Sequence, residues 1–80
     1  MEEINLHGVN HEDVDREIDA YLNNNWSNKG LLIDSFKVIT GHSTQMRKEV
    51  IKVLDRYGLG YKIGGDLGVD DSYMIVYNED

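Results

Sequence analysis

Two histidines stand next to glycines in short runs that can support chemistry. His7 ends the run Ile-Asn-Leu-His at residues 4–7 and is followed by Gly8, and His42 lies in the run Thr-Gly-His-Ser at residues 40–43. Imidazole exchanges its proton near neutral pH, so two such side chains at one phosphate would supply the base and the acid for phosphodiester cleavage. The alternative for His7 is a structural role, in which its ring hydrogen-bonds the backbone of a turn. His11 lies among acidic residues and is expected on the surface.

The second run also predicts an anion-binding turn. Residues 35–40 have the composition of a strand, Gly41 permits a positive φ, and Ser43 is a favoured N-cap for a following helix. A strand that turns into a helix in this way directs backbone N–H groups and the positive end of the helix dipole toward one point. The candidate residues for contact with a phosphate backbone are therefore Thr40, Gly41, Ser43, Arg47 and Lys48.

The elements that must position these residues follow from apolar periodicity. Strands are predicted at residues 4–7, 35–40, 59–63 and 73–77, with helices from an Asn10 cap and from Ser43 to about Tyr57. Residues 26–30 are expected as a frayed helix end and a loop, residues 31–33 are ambiguous, and the glycine-rich residues 64–71 are predicted as a turn-rich connection. The order β-α-β-α-β-β in one domain, residues 1–80, predicts an α/β two-layer sandwich: a four-stranded mixed sheet with two helices on one face.

The topology carries the prediction about the site. If the first two strands are adjacent and parallel, His7 and His42 both lie at the carboxyl edge of the sheet, where open α/β sheets bind ligands. The last strand, nearly continuous in apolar residues, is expected to be central or well covered. Trp26 and the five tyrosines are expected in the core of so small a chain.

Composition restricts the classes of protein. The 80 residues include no cysteine, which excludes disulfides and thiolate metal ligands. No apolar run approaches the ~20 residues of a membrane span and no secretory leader is evident, so we expect a cytoplasmic protein with no membrane partner. The net charge of −7 argues against non-specific nucleic-acid binding by the whole molecule. Five of the eight basic residues nevertheless cluster in residues 43–63; the alternative is a solvated helix face between acidic ends.

Taken together, the motifs resemble the small MutS-related (Smr) domain family across essentially the whole chain. Residues 4–8 are similar to the family's opening Leu-Asp-Leu-His-Gly motif, and residues 38–43 resemble its second motif, a strand ending in Thr-Gly or His-Gly. Residues 46–50, Met-Arg-Lys-Glu-Val, resemble the helix that follows. Two departures stand out: Asn5 replaces the usual aspartate, and the second motif lacks a further glycine and the Lys or Arg of many members.

The resemblance implies a fold similar to the C-terminal domain of bacterial translation initiation factor three. It also implies nucleic-acid binding, with DNA nicking or RNA cleavage in several members. By position, Asn5 and His7 correspond to the first motif, Thr40, Gly41 and His42 to the second, and Arg47 to a basic residue that often begins the second helix.

We therefore expect a nucleic-acid-binding domain, acting on DNA or RNA including branched or structured forms, with weak endonuclease activity in which His7, His42 and Asn5 are the catalytic candidates. No metal site is predicted, although Mg²⁺ or Mn²⁺ acting with a bound phosphate is compatible with the many carboxylates. A monomer is expected. The alternatives are a non-catalytic phosphate- or nucleic-acid-binding module and an adaptor that binds a partner protein through the acidic first helix.

Overall fold

A computed structural model describes residues 2–28, 30–64 and 72–78 of the chain. Within these ranges the elements are β1 (Glu2–Asn5), α1 (Val14–Asn24), β2 (Trp26–Ser27), β3 (Gly30–Leu31), β4 (Ser35–Ile39), α2 (Thr44–Tyr57), β5 (Leu59–Ile63) and β6 (Tyr73–Asn78). A four-stranded mixed sheet has the order β1-β4-β6-β5, and β2 and β3 form a second, two-stranded sheet. β1 is parallel to β4, whereas β6 is antiparallel to both of its neighbours.

Both helices pack on one face of the large sheet, which confirms the predicted two-layer architecture. In β4, Phe36 and Val38 are fully buried, while the other three residues of the strand are only partly covered. The two helices cover that face with buried apolar side chains: Val14, Ile18 and Leu22 from α1, and Met46, Val50, Val53 and Leu54 from α2. β6 lies between β4 and β5, as its apolar sequence predicts.

Helix α2 follows the predicted start and end signals closely. The hydroxyl oxygen of Ser43 accepts a hydrogen bond from the backbone N–H of Met46 at 3.1 Å, which satisfies one of the unpaired first-turn donors. Gly58 ends the helix with φ +70°, a left-handed conformation that residues with a Cβ rarely adopt. α2 is thereby defined at both ends by local sequence.

Helix α1 and strand β1 differ from the predicted boundaries by a few residues. A single 3-10 turn, His11–Asp13, precedes α1, and the side chain of Asn10 makes no capping hydrogen bond. The α-helix therefore begins at Val14 rather than directly after an Asn10 cap. β1 ends at Asn5, because the Asn5 side chain accepts a hydrogen bond from the His7 N–H at 2.9 Å and folds the chain into a turn.

The predicted loop at residues 26–30 is wrong, since Trp26 and Leu31 pair across a short antiparallel hairpin. The hairpin is held by Asn78, whose side-chain oxygen accepts from the Leu31 N–H at 3.1 Å and whose amide nitrogen lies 3.4 Å from the Leu31 carbonyl. These hydrogen bonds come from a side chain 47 positions after Leu31, so they could not be predicted from the local sequence.

Four of the six large aromatic residues expected in the core pack against it: Tyr21, Trp26, Tyr57 and Tyr61. The expectation is wrong for Tyr73 and Tyr77, which lie on the sheet face opposite the helices. The predicted turn-rich connection falls outside the described residues from position 65 onward. Among the described helices, none is long and apolar enough to cross a membrane.

Candidate functional site

The parallel pairing of β1 and β4 brings the two predicted turns together. Asn5 pairs with Ile39, and the Leu6 N–H extends the ladder by donating to the Ile39 carbonyl at 2.8 Å. Beyond this point, a Cβ placed on Gly41 would lie 2.7 Å from Cδ2 of His7, and Gly41 has φ +68°. The His7 ring therefore rests against the Gly41 backbone, and both conformation and space require glycine there.

Asn5 contacts the backbone of His7. Its Oδ1 accepts from the His7 N–H at 2.9 Å, which fixes the turn on which the imidazole stands. The side chains of both residues are exposed. Of the three predicted catalytic residues, Asn5 thus has a positioning contact, while the His7 and His42 side chains are accessible to a ligand.

Thr40 holds the second turn from inside. It is only 2% exposed, and its hydroxyl donates to the Gly41 carbonyl at 2.9 Å. The backbone N–H groups of Thr40 and Gly41 both donate to the Ser72 carbonyl at 2.9 Å. The Thr40 side chain consequently offers little surface to a ligand, and the Gly41 N–H is already bonded. Sequence reasoning missed Ser72, because it acts through a main-chain carbonyl that leaves no signal in the residue type.

The start of α2 is the accessible source of backbone donors. The Arg47 N–H donates to the Ser43 carbonyl at 3.2 Å, whereas the N–H groups of Thr44 and Gln45 have no partner within a helix. The first turn of α2, all of it described, contains no acidic residue, while that of α1 contains Asp15 and Glu17. Only at α2, of these two helices, is the positive end of the dipole left without a carboxylate from its own first turn.

The positive charge beside the turn comes from Arg47 and Lys48. Arg47 is half-buried and donates to the Thr44 hydroxyl at 3.3 Å, and Lys48 is exposed. Lys48 makes no ion pair with any described residue, whereas Lys52, farther along α2, pairs with Glu49 at 3.4 Å. The basic residues nearest the turn are therefore on the first turns of α2, whereas Lys52 farther along the helix is paired.

Arg56, at the other end of α2, is committed to helix α1. Its guanidinium bonds both carboxylate oxygens of Asp15 and lies 3.6 Å from Asp19. The hydrogen bond from Arg56 lowers the pKa of Asp15, and the same bond raises the pKa of Arg56. A shallow groove between the helices is lined by this cluster, so its charges are mixed and partly paired. The acidic face of α1 is correspondingly less available to a basic partner.

No cluster of three or more metal-ligating side chains occurs among residues 2–28, 30–64 and 72–78. The aspartates of the connection, Asp66, Asp70 and Asp71, lie outside these ranges. The described part of the site thus presents imidazoles, backbone amides and cations to a ligand.

Comparisons of the chain with protein-family models, with curated proteins and with solved structures find no match.

Proposed function

We propose that this chain is an Smr-like domain that binds nucleic acid where the His7 turn meets residues 41–43, and that it nicks the phosphodiester backbone slowly. The observation that carries the proposal is the contact of the His7 ring with the Gly41 backbone immediately before the N-terminus of α2. It joins a proton-transfer group to an anion-binding helix start in one small surface region.

Binding would use the charges and amides of the first turn of α2. A phosphate would accept from the N–H groups of Thr44 and Gln45, with Arg47 and Lys48 supplying positive charge. Such contacts position a nucleic acid without reading its sequence, so affinity should depend strongly on salt. The absence of acidic residues from this first turn, which is fully described, supports the assignment.

Cleavage would use His7 and His42 as a base and an acid. The neutral imidazole takes a proton from a water molecule, whose oxygen forms the new bond to phosphorus. The bond from phosphorus to the leaving sugar oxygen breaks, and the second imidazole, which is protonated at the start, gives that oxygen its proton. The cations and helix amides would stabilise the extra negative charge on the phosphate in the transition state.

The binding part is tested by fluorescence anisotropy with labelled single-stranded, duplex and branched oligonucleotides over a range of salt concentrations. Arg47→Gln should weaken binding to all of them and reduce the logarithmic salt slope by about 1. Lys52→Gln is the matched control on the same helix and should change little, since Lys52 already pairs with Glu49. Equal effects of the two substitutions would place the phosphate contacts elsewhere.

The cleavage part is tested with nicking assays on supercoiled DNA and on structured RNA. His42→Ala and His7→Ala should each abolish cleavage while the far-ultraviolet circular dichroism spectrum is retained. His11→Ala, at an exposed position in the 3-10 turn, should cleave as the unmodified chain does. Cleavage that persists in both His7→Ala and His42→Ala would eliminate the proposed chemistry.

A non-catalytic binding module is the second candidate, and Asn5 favours it. An aspartate at this position could orient an imidazole by charge, whereas Asn5 is neutral and bonds the His7 backbone. Saturable binding with intact substrate after long incubation would select this function. Asn5→Asp is then the informative variant, because a gain of cleavage would show that the missing carboxylate is the cause.

A further inference from the structure

The sheet has a second face that the helices do not cover. Register places the following side chains on it: Glu3 and Asn5 from β1, Ser35, Lys37 and Ile39 from β4, Tyr73, Ile75 and Tyr77 from β6, and Gly60 and Lys62 from β5. We call this surface the open face. Within the described part of the chain, its four large apolar side chains neither belong to the core nor pack against it. The open face is thus a separate apolar and aromatic surface.

The ring of Tyr77 lies flat on this surface. A Cβ on Gly60 would come within 2.9 Å of Cζ and 3.0 Å of Cδ2 of Tyr77, so the ring covers the backbone where Gly60 has no side chain. Tyr77 remains 39% exposed. An aromatic ring held against the sheet with its outer side accessible is a suitable stacking surface for a planar ligand group.

The described residues of the open face include two lysines and one glutamate, whereas the chain as a whole carries −7. Lys37 and Lys62 flank Ile75 in one cross-strand row, and the Lys37 ammonium lies 4.4 Å from the centre of the Tyr73 ring. That cation–π contact keeps positive charge on the sheet. Among the described residues, Glu3 is the acidic residue that the register places on this face, and it lies directly across from Lys37.

The open face also continues into the site proposed above. The row Asn5, Ile39 and Tyr73 crosses the sheet at the ends of β1 and β4. His7 lies two residues beyond Asn5, and Gly41 lies two residues beyond Ile39. A chain leaving the His7 turn can therefore run directly onto the face, with Tyr77 about 13 Å farther along β6 than Tyr73.

We propose that the open face binds single-stranded nucleic acid, with a base stacked on Tyr77 and phosphates contacting Lys37 and Lys62. This proposal rests on the proposed function and names single-stranded nucleic acid as the preferred substrate. Unpaired bases can stack on a flat aromatic surface, whereas the bases of a duplex are stacked on each other and cannot reach it. The combination of aromatic rings and lysines, rather than apolar residues alone, favours this occupant over a second copy of the chain.

The test is anisotropy with fluorescein-labelled oligothymidylate of about 12 nucleotides, compared with the duplex that it forms with oligoadenylate. Tyr77→Leu should weaken single-strand binding about five-fold or more and leave duplex binding unchanged. Tyr77→Phe keeps the ring and should bind as the unmodified chain does. Lys37→Gln and Lys62→Gln, which leave Tyr77 in place, should each lower the single-strand salt slope by about 0.7.

The outcomes separate this proposal from the proposed function. If Arg47→Gln weakens binding while Tyr77→Leu and both lysine variants bind oligothymidylate normally, the open-face proposal is overturned and the proposed function stands. If the unmodified chain binds no oligonucleotide even at low salt, both fail. If Tyr77→Leu instead abolishes a dimer seen by sedimentation without changing binding, a second copy covers the face and the proposal is likewise overturned.

Discussion

The His7 ring can contact Gly41 only because glycine has no Cβ. Gly41 has φ +68°, and the space that a Cβ would take is occupied by Cδ2 of His7 at 2.7 Å. Gly58 has nearly the same φ, +70°, with nothing within 4 Å of its Cβ position. Both glycines therefore have a backbone conformation that strains a residue with a Cβ, but only at Gly41 would a Cβ also clash with the imidazole.

Gly41→Ala should lower the free energy of unfolding by more than Gly58→Ala does. Both substitutions carry a strain cost of about 1–3 kcal/mol, but only the first must also displace the His7 ring. Urea denaturation gives the stabilities, and the NMR signals of the His7 ring report its displacement. Equal losses with unshifted His7 signals would show that the ring does not depend on Gly41.

Removing the hydroxyl of Tyr21 and removing that of Tyr57 should affect the stability of the fold differently. Among the described residues, the buried Tyr21 hydroxyl has no hydrogen-bond partner, whereas the Tyr57 hydroxyl donates to Asp19 at 3.0 Å. Burial raises the pKa of both phenols, and the bond to Asp19 raises that of Tyr57 further.

Tyr21→Phe should leave stability unchanged or raise it, because the unpaired hydroxyl costs its desolvation free energy. Tyr57→Phe should lose about 0.5–1.5 kcal/mol, the net value of a typical hydrogen bond. Thermal and urea denaturation of the two variants provide the comparison. A loss in Tyr21→Phe as large as that in Tyr57→Phe would mean that the Tyr21 hydroxyl does have a partner.

Residue types marked His7, Gly41 and Ser43 as candidates, because histidine, glycine and a capping serine each have a specific chemical or conformational use, and the predicted parallel pairing of the first two strands placed them in one region. They did not predict the role of Ser72, whose carbonyl accepts from two amides of the turn. Every residue type carries the same main-chain carbonyl acceptor. A contact made by such a carbonyl therefore cannot be predicted until the strands are paired.

At the scale of elements, the N-terminus of α2 has a structural role and a proposed binding role that one substitution can separate. Ser43→Ala should cost about 1 kcal/mol of stability through loss of the cap on Met46. Ser43→Asp keeps an acceptor for that N–H and favours the helix dipole, so stability should be retained.

Nucleic-acid binding should nevertheless weaken in Ser43→Asp, because the added carboxylate lies where a phosphate is expected. Urea denaturation and anisotropy on the same samples measure the two effects. If a stable Ser43→Asp protein binds nucleic acid normally, the phosphate does not bind at this helix end.

Elements whose signals are local were predicted well, and those set by tertiary contacts were not. α2 carries its own cap and its own stop at Gly58. The β2–β3 hairpin has two residues in each strand, too few for a periodic pattern, and it depends on Asn78. The delayed start of α1 was not predictable for a different, local reason: 3-10 turns are frequent at the N-termini of α-helices, and the acidic residues Glu12 and Asp13 suit the first turn of either helix type.

At the scale of the molecule, the pairing of Arg56 with Asp15 links the two helices and makes stability depend on pH. The pKa of Asp15 is lower in the folded chain than its ordinary 3.8, because Arg56 bonds the charged carboxylate. The resulting stabilisation is present above about pH 4 and is lost as the pH falls through the lower, folded pKa.

The stability difference between the unmodified chain and Arg56→Gln should therefore be largest near neutral pH and shrink in acid. Lys48→Gln removes the same charge from an exposed site without an ion pair among the described residues, so its difference should vary less with pH. Urea denaturation at several pH values and an NMR titration of the Asp15 carboxyl measure both. A difference for Arg56→Gln that does not change with pH would mean that the pair contributes nothing.

The order of the large sheet was largely predictable, because helical crossovers constrain β1 and β4 and the apolar sequence of β6 favours a central position. The pairing of particular charges was not. The sequence pattern places Arg56 on an exposed helix face. Its partner Asp15 is 41 residues away along the chain, and the two side chains meet only because α1 packs against α2.

The central position of β6 has a consequence for how the chain can assemble. β6 bonds β4 on one side and β5 on the other, so its release leaves those strands about 9.6 Å apart, separated by a gap the width of one strand. The β6 segment of another molecule fits that gap as well as the chain's own. Refolding at high concentration should therefore yield strand-exchanged dimers, and dilute refolding should yield none; gel filtration of the two preparations distinguishes the species.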